Sequence, residues 1–60
     1  MIYTGTINQI DTNIFQANIF NLDNNLVYNI IGDAADDSEF KLTYTQFICD
    51  QLGISDIDWQ

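Results

Sequence analysis

The chain has no histidine, one cysteine (Cys49) and one basic residue (Lys41) in 60 residues. Each shortage removes a class of chemistry. Without histidine, no side chain with an ordinary pKa near neutrality is present to shuttle protons, and a zinc site within one chain would have a single Cys to draw on. A lone cysteine closes no intrachain disulfide, so no covalent staple supports the fold and nothing favours an oxidising compartment. As a nucleophile Cys49 lacks a partner base, with Lys41 the only cation available to activate it. It reads instead as a buried helix residue. The three glycines, Gly5, Gly32 and Gly53, stand singly, so no phosphate-cradling loop is formed. No apolar run approaches the roughly 18 residues of a membrane span. The opening MIYTGTINQI lacks both the positive and the unbroken apolar segments of a signal peptide. A cytoplasmic protein with no membrane partner is the expectation.

What the chain does have is acid. Nine carboxylates (Asp11, Asp23, Asp33, Asp36, Asp37, Glu39, Asp50, Asp56, Asp58) face Lys41, for a formal charge of −8. Such a surface repels nucleic acid, anionic lipid and phosphorylated ligands and steers the chain toward basic surfaces. Isoleucine and asparagine abound, as AT-rich coding tends to produce, yet that bias also favours the lysine that is nearly absent. The chain is nonetheless 47% hydrophobic and carries four Phe, three Tyr and one Trp, which argues against disorder. One domain, residues 1–60, is expected; a chain this short buries only about 60% of the surface its unfolded form exposes. A deep catalytic cleft is not expected.

The organising stretch is Ile14 to Ile31, two apolar strands joined at Asp23-Asn24-Asn25, where Asp and Asn tolerate positive φ. A first strand runs from Ile2 to about Gln9, with Gly5 marking a bulge or a close approach, and Ile10 to Asn13 form the connection. The second strand, Ile14 to Leu22, has apolar residues on both faces and suits a central place in the sheet. The third, Leu26 to Ile31, ends at Gly32. Four acids in Asp33–Glu39 suggest a solvated loop, or a short helical turn after Asp33, and Phe40-Lys41-Leu42 a brief edge strand. Thr43 and Gln46 fit a capping box, opening a helix whose stripe is Tyr44, Phe47, Ile48 and Leu52 and whose C-cap is Gly53. In the tail, Ile57 and Trp59 alternate with Asp56 and Asp58; Ser55 is an alternative cap for a last helical turn. The fold class is α+β: a three- or four-stranded antiparallel sheet, a β-meander, with one C-terminal helix on one face. The face opposite the helix needs cover from the tail, from curling of the sheet, or from a second copy in a homodimer.

Several sites fail on their chemistry. Asp36, Asp37 and Glu39 resemble acid–base machinery only in residue type, since there is neither a pocket nor a group tuned near neutrality. Asp33, Asp36, Asp37 and Glu39 are oxygen ligands suited to calcium, but the alternating spacing and central glycine of an EF-hand loop are missing. No cofactor or metal and no enzymatic activity are expected. What remains is the charge array itself. Duplex DNA carries one negative charge per about 1.7 Å of axis, and carboxylates held on a rigid fold imitate part of that array. Asp33, Asp36, Asp37, Glu39, Asp50, Asp56 and Asp58 are the expected phosphate surrogates, with Trp59 exposed beside them as the anchor.

In its small size, acidity, single domain and lack of catalytic residues, the chain resembles the small phage-encoded inhibitors of host defence nucleases, anti-CRISPR proteins included. The resemblance is one of character, with no aligned motif. It implies a partner class, a basic nucleic-acid-binding protein in the host cytoplasm, and assigns no site residues. The sequence therefore supports a DNA-mimic-type inhibitor that binds protein and not nucleic acid. The alternative is a small structural or regulatory subunit assembling through an apolar β-sheet face, and simple solubility is a third reason for the excess acid.

Overall fold

The computed structural model describes residues 2–60. Strands β1 (Tyr3–Asp11), β2 (Ile14–Phe20) and β3 (Leu26–Asp33) form an antiparallel meander, followed by helix α1 (Asp37–Leu52) and strand β4 (Ile57–Trp59). The spatial order is β3-β2-β1-β4, and β4 lies parallel to β1, with Tyr3 beside Ile57 and Gly5 beside Trp59. The sheet is thus mixed, where an all-antiparallel one was expected: the helix carries the chain back along the sheet, so the last strand re-enters in the direction of β1.

Two turns set the meander. Asn13 and Asn24 adopt φ of 61° and 63°, a left-handed conformation that asparagine tolerates. Asn21 Oδ1 accepts from the N–H groups of Asp23 and Asn25 at 2.9 and 3.0 Å, fixing the second turn from its own first residue. β2 is central, as its two apolar faces suggested. Phe15, Ala17 and Ile19 are buried on the helix side, while Gln16, Asn18 and Phe20 look out on the opposite face.

The helix begins six residues before the expected Thr43 cap. Asp36 is the N-cap, its side chain accepting from Glu39 N–H at 2.8 Å. Asp36-x-x-Glu39 is thus the capping pattern that is used. Asp37 and Glu39 lie in the first turn, where the helix dipole favours negative charge, and residues 37–39 are all exposed. That solvation is why a dense acidic run tolerates helical geometry here. The edge strand expected at Phe40–Leu42 is helix as well. Phe40 starts a ladder with Tyr44, Ile48 and Leu52 at intervals of four, and it is fully buried, whereas Phe47, expected in the stripe, is 46% exposed. Gly53, at φ 68°, ends the helix as expected. Replacing Asp36 by alanine orphans the Glu39 N–H and is expected to destabilise the fold by about 1 kcal/mol, read from urea melts followed by circular dichroism. An unchanged midpoint would mean the cap contributes nothing.

The core lies between helix and sheet in two adjoining groups. Phe15, Ala17, Ala34 and Phe40 form one, and Ile19, Ile48, Cys49 and Ile57 the other, with Ile30, Tyr44 and Trp59 packed against both. Two glycines make room for rings. A Cβ at Gly32 would come 2.5 Å from Tyr44 Cζ, and one at Gly5 would come 2.6 Å from Trp59 Cε3 and Cζ3. Gly5 is therefore the close approach anticipated for it. β4 places Ile57 and Trp59 on the helix side, so the tail extends the sheet and leaves its other face open.

Candidate partner-binding surface

All nine acids are exposed, and the topology sorts them to the two ends of a molecule 32 Å long. At one end β3 finishes beside the β1–β2 turn, where Ala34 N–H donates to Asn13 C=O at 2.9 Å, and the helix begins a few residues on. Asp33 and Asp11 both pair with Ile14 from either side, which sets them about 10 Å apart at two strand spacings. Asp36, Asp37 and Glu39 reach the same end on the first turn of α1, on the helix side of the sheet, whereas pairing with Ile14 puts Asp11 and Asp33 on its open face. A shallow depression lined by Ile7, Gln9, Phe15, Ala35, Asp36 and Asp37 lies on the helix side of this end.

Sixteen residues of helix then span about 24 Å and carry Asp50 to the opposite end. Asp56 joins it there: both carboxylates act on Cys49, whose thiol is pushed above its ordinary value by burial first, then by Asp56 and Asp50. The thiol stays protonated at neutral pH, in keeping with a packing role. Asp23, in the β2–β3 turn, belongs to the same end. Asp58, on the open sheet face opposite Thr4, lines a depression together with Asp56 at this same end. The expected seven-acid patch is thus two groups, and Asp11, which sequence reasoning left out, belongs to the larger one. Its signal was the turn: a hairpin end and the exit of the third strand of a meander must meet.

Trp59 departs from its expected role. The indole is half-buried over Gly5, and its Nε1–H donates to Thr45 Oγ1 at 3.1 Å, because Gly5 leaves a ring-sized space that burial fills. One edge still borders an open groove with Ser38, Lys41, Leu42, Thr45, Gln46 and Asp56. Leu42, 85% exposed, is the freest apolar side chain there. The open sheet face carries Thr4, Thr6, Asn8, Gln16, Asn18 and Asn29 across its middle, with Phe20, Leu26, Ile31 and Ile14 around them.

Among the described residues, no three His, Cys, Asp or Glu side chains are arranged to hold a metal ion, and no helix is long and apolar enough to cross a membrane. Comparison with protein families, curated proteins and solved structures finds no match.

Proposed function

We propose that the protein is a non-enzymatic binding module that occludes a basic, nucleic-acid-binding surface of a partner protein in the cytoplasm. The observation that carries this reading is the group of five exposed carboxylates, Asp11, Asp33, Asp36, Asp37 and Glu39, gathered at one end by two β-strand ends and a helix N-terminus. They sit on hydrogen-bonded backbone, so their spacing is preset and little ordering entropy is lost on contact. The second group, Asp50, Asp56 and Asp58 with Asp23, extends the negative field along the molecule. Leu42 takes the anchoring part first given to Trp59. Assembly through the open face is the weaker reading, because its middle is hydroxyl and amide rather than apolar.

The test is affinity capture from a native lysate, with duplex DNA as competitor. Basic nucleic-acid-binding proteins should be retained, displaced by DNA, and held more weakly as salt shortens the Debye length toward about 3 Å at 1 M. Asp33→Asn, Asp37→Asn and Glu39→Gln together, which spare the Asp36 cap, should lower affinity by roughly tenfold or more. Capture indifferent to salt, DNA and these substitutions would rule the reading out.

A further inference from the structure

We propose that two copies of this chain associate by antiparallel pairing of their β3 edges about a two-fold axis at Ile30, joining two four-stranded sheets into one. This goes beyond the acidic-surface reading and does not depend on it.

β3 is the outer strand on its side of the sheet. Exposed edges are usually guarded by lysine, proline, inward charge or a covering element, and from Leu26 to Gly32 there is no charged residue and no proline. Its free backbone groups can be assigned. The bond from Ala34 N–H to Asn13 C=O, and the one from Asn21 N–H to Asn25 C=O at 3.0 Å, bracket the β2–β3 ladder. By antiparallel alternation Tyr28, Ile30 and Gly32 exchange bonds with β2. Asn29 and Ile31 therefore turn their N–H and C=O groups to the open side.

The usable run has definite ends. The register slips between Ile19 and Phe20, making a bulge at Val27 that interrupts the edge, and Asp33 closes the other side with a charge. Between them lie Tyr28–Gly32, five residues centred on Ile30. A second copy placed about that centre sets Asn29 against Ile31 of the other copy, and the reverse, so the two outward pairs satisfy each other. Ile30 faces Ile30, Tyr28 faces Gly32, and Asp33 falls opposite Val27. No like charges are directly opposed, which a cross-strand pair requires, and the contact is isologous, as a closed dimer demands. Ile31, 59% exposed on the open face, gains cover. Five residues a side is a small interface, of the weak class, and eight net charges on each copy oppose it. The dimer should therefore tighten with added salt, opposite in sign to capture of a basic partner.

The experiment is amide hydrogen exchange by NMR on the unaltered chain from about 0.05 to about 2 mM in about 0.5 M NaCl, with sedimentation equilibrium alongside. The Asn29 and Ile31 amides should exchange about tenfold more slowly at the high concentration, while those of Tyr28 and Ile30, already bonded to β2, hold steady. Ile31→Lys should abolish association, and Leu42→Lys, on the helix, should leave it intact. Concentration-independent exchange at Asn29 and Ile31 overturns the proposal even if Ile31→Lys fails to fold. An association removed by Leu42→Lys and kept by Ile31→Lys overturns it too.

Discussion

Gly5→Val is expected to leave the chain largely unfolded at 25 °C, and Gly5→Ala to cost about 1–3 kcal/mol. The alanine Cβ alone would sit 2.6 Å from two carbons of the Trp59 ring and 3.0 Å from Ile57 Cγ2. The ring has little freedom to retreat: Trp59 is held by the β1–β4 pairing, by the bond from its indole to Thr45, and by the Gln60 N–H bond to Gly5 C=O at 2.8 Å. Valine adds two more carbons in the same space. A single core in a chain this small supplies no more than about 3–5 kcal/mol of net stability, so the larger clash removes most of it. Thermal melts by circular dichroism measure both variants, and the double variant Gly5→Ala, Trp59→Leu should recover part of the alanine loss, as a coupled pair does. A Gly5→Ala melting temperature within a couple of degrees of the parent, where about 4–8 °C per kcal/mol is the scale, would show that the ring moves freely.

Phe40→Ala is the second large effect, at about 3–5 kcal/mol. Phe40 is fully buried, its ring 6.1 Å from that of Phe15 and 4.5 Å from that of Tyr44. It is the contact by which the first turns of α1 hold β2, and its loss leaves a cavity that Ala17 and Ala34 are too small to fill. Phe47→Ala, at a half-exposed position of the same helix, should cost far less. Circular dichroism without denaturant and urea titrations of the two variants decide the matter: a loss this close to the whole stability leaves Phe40→Ala with little folded baseline, whereas similar transitions for the two would mean that Phe40 does not hold the helix to the sheet.

That contrast also shows what could be read in the residues. The meander was legible because three runs rich in β-branched and aromatic residues are punctuated by the asparagine turns at Asn13 and Asn24. Gly53 was legible as a stop because only a residue at ease with positive φ ends a helix that way. The helix start was not, because two capping patterns compete: Thr43-x-x-Gln46 sits next to the apolar stripe, while Asp36-x-x-Glu39 is hidden in an acidic run that local reasoning assigns to solvent. Burial of Phe40 against Phe15, a contact between distant parts of the chain, selects the earlier one. Of the candidate site, the identity and exposure of the acids were legible, but their grouping was not. Asp11 joins Asp33 through register, Asp50 is taken away by helix length, and Trp59 is drawn inward by the room Gly5 leaves. Each depends on pairing between segments that spacing along the chain does not report.

The parallel pairing of Tyr3 with Ile57 also bears on how the molecule is made. As the chain leaves the ribosome, the meander can close from neighbouring segments, but the ring that fills the space over Gly5 emerges only after β1–β3 and α1. Closing contacts between far-separated residues is slow because the intervening loop must first be ordered. Until then β1 has one side uncovered and the Ile19, Ile48 and Cys49 group lacks Ile57, so the emerging segment is a sheet awaiting β4. Its most vulnerable interval, to protease or to a stray β-strand, lasts until β4 has docked beside β1.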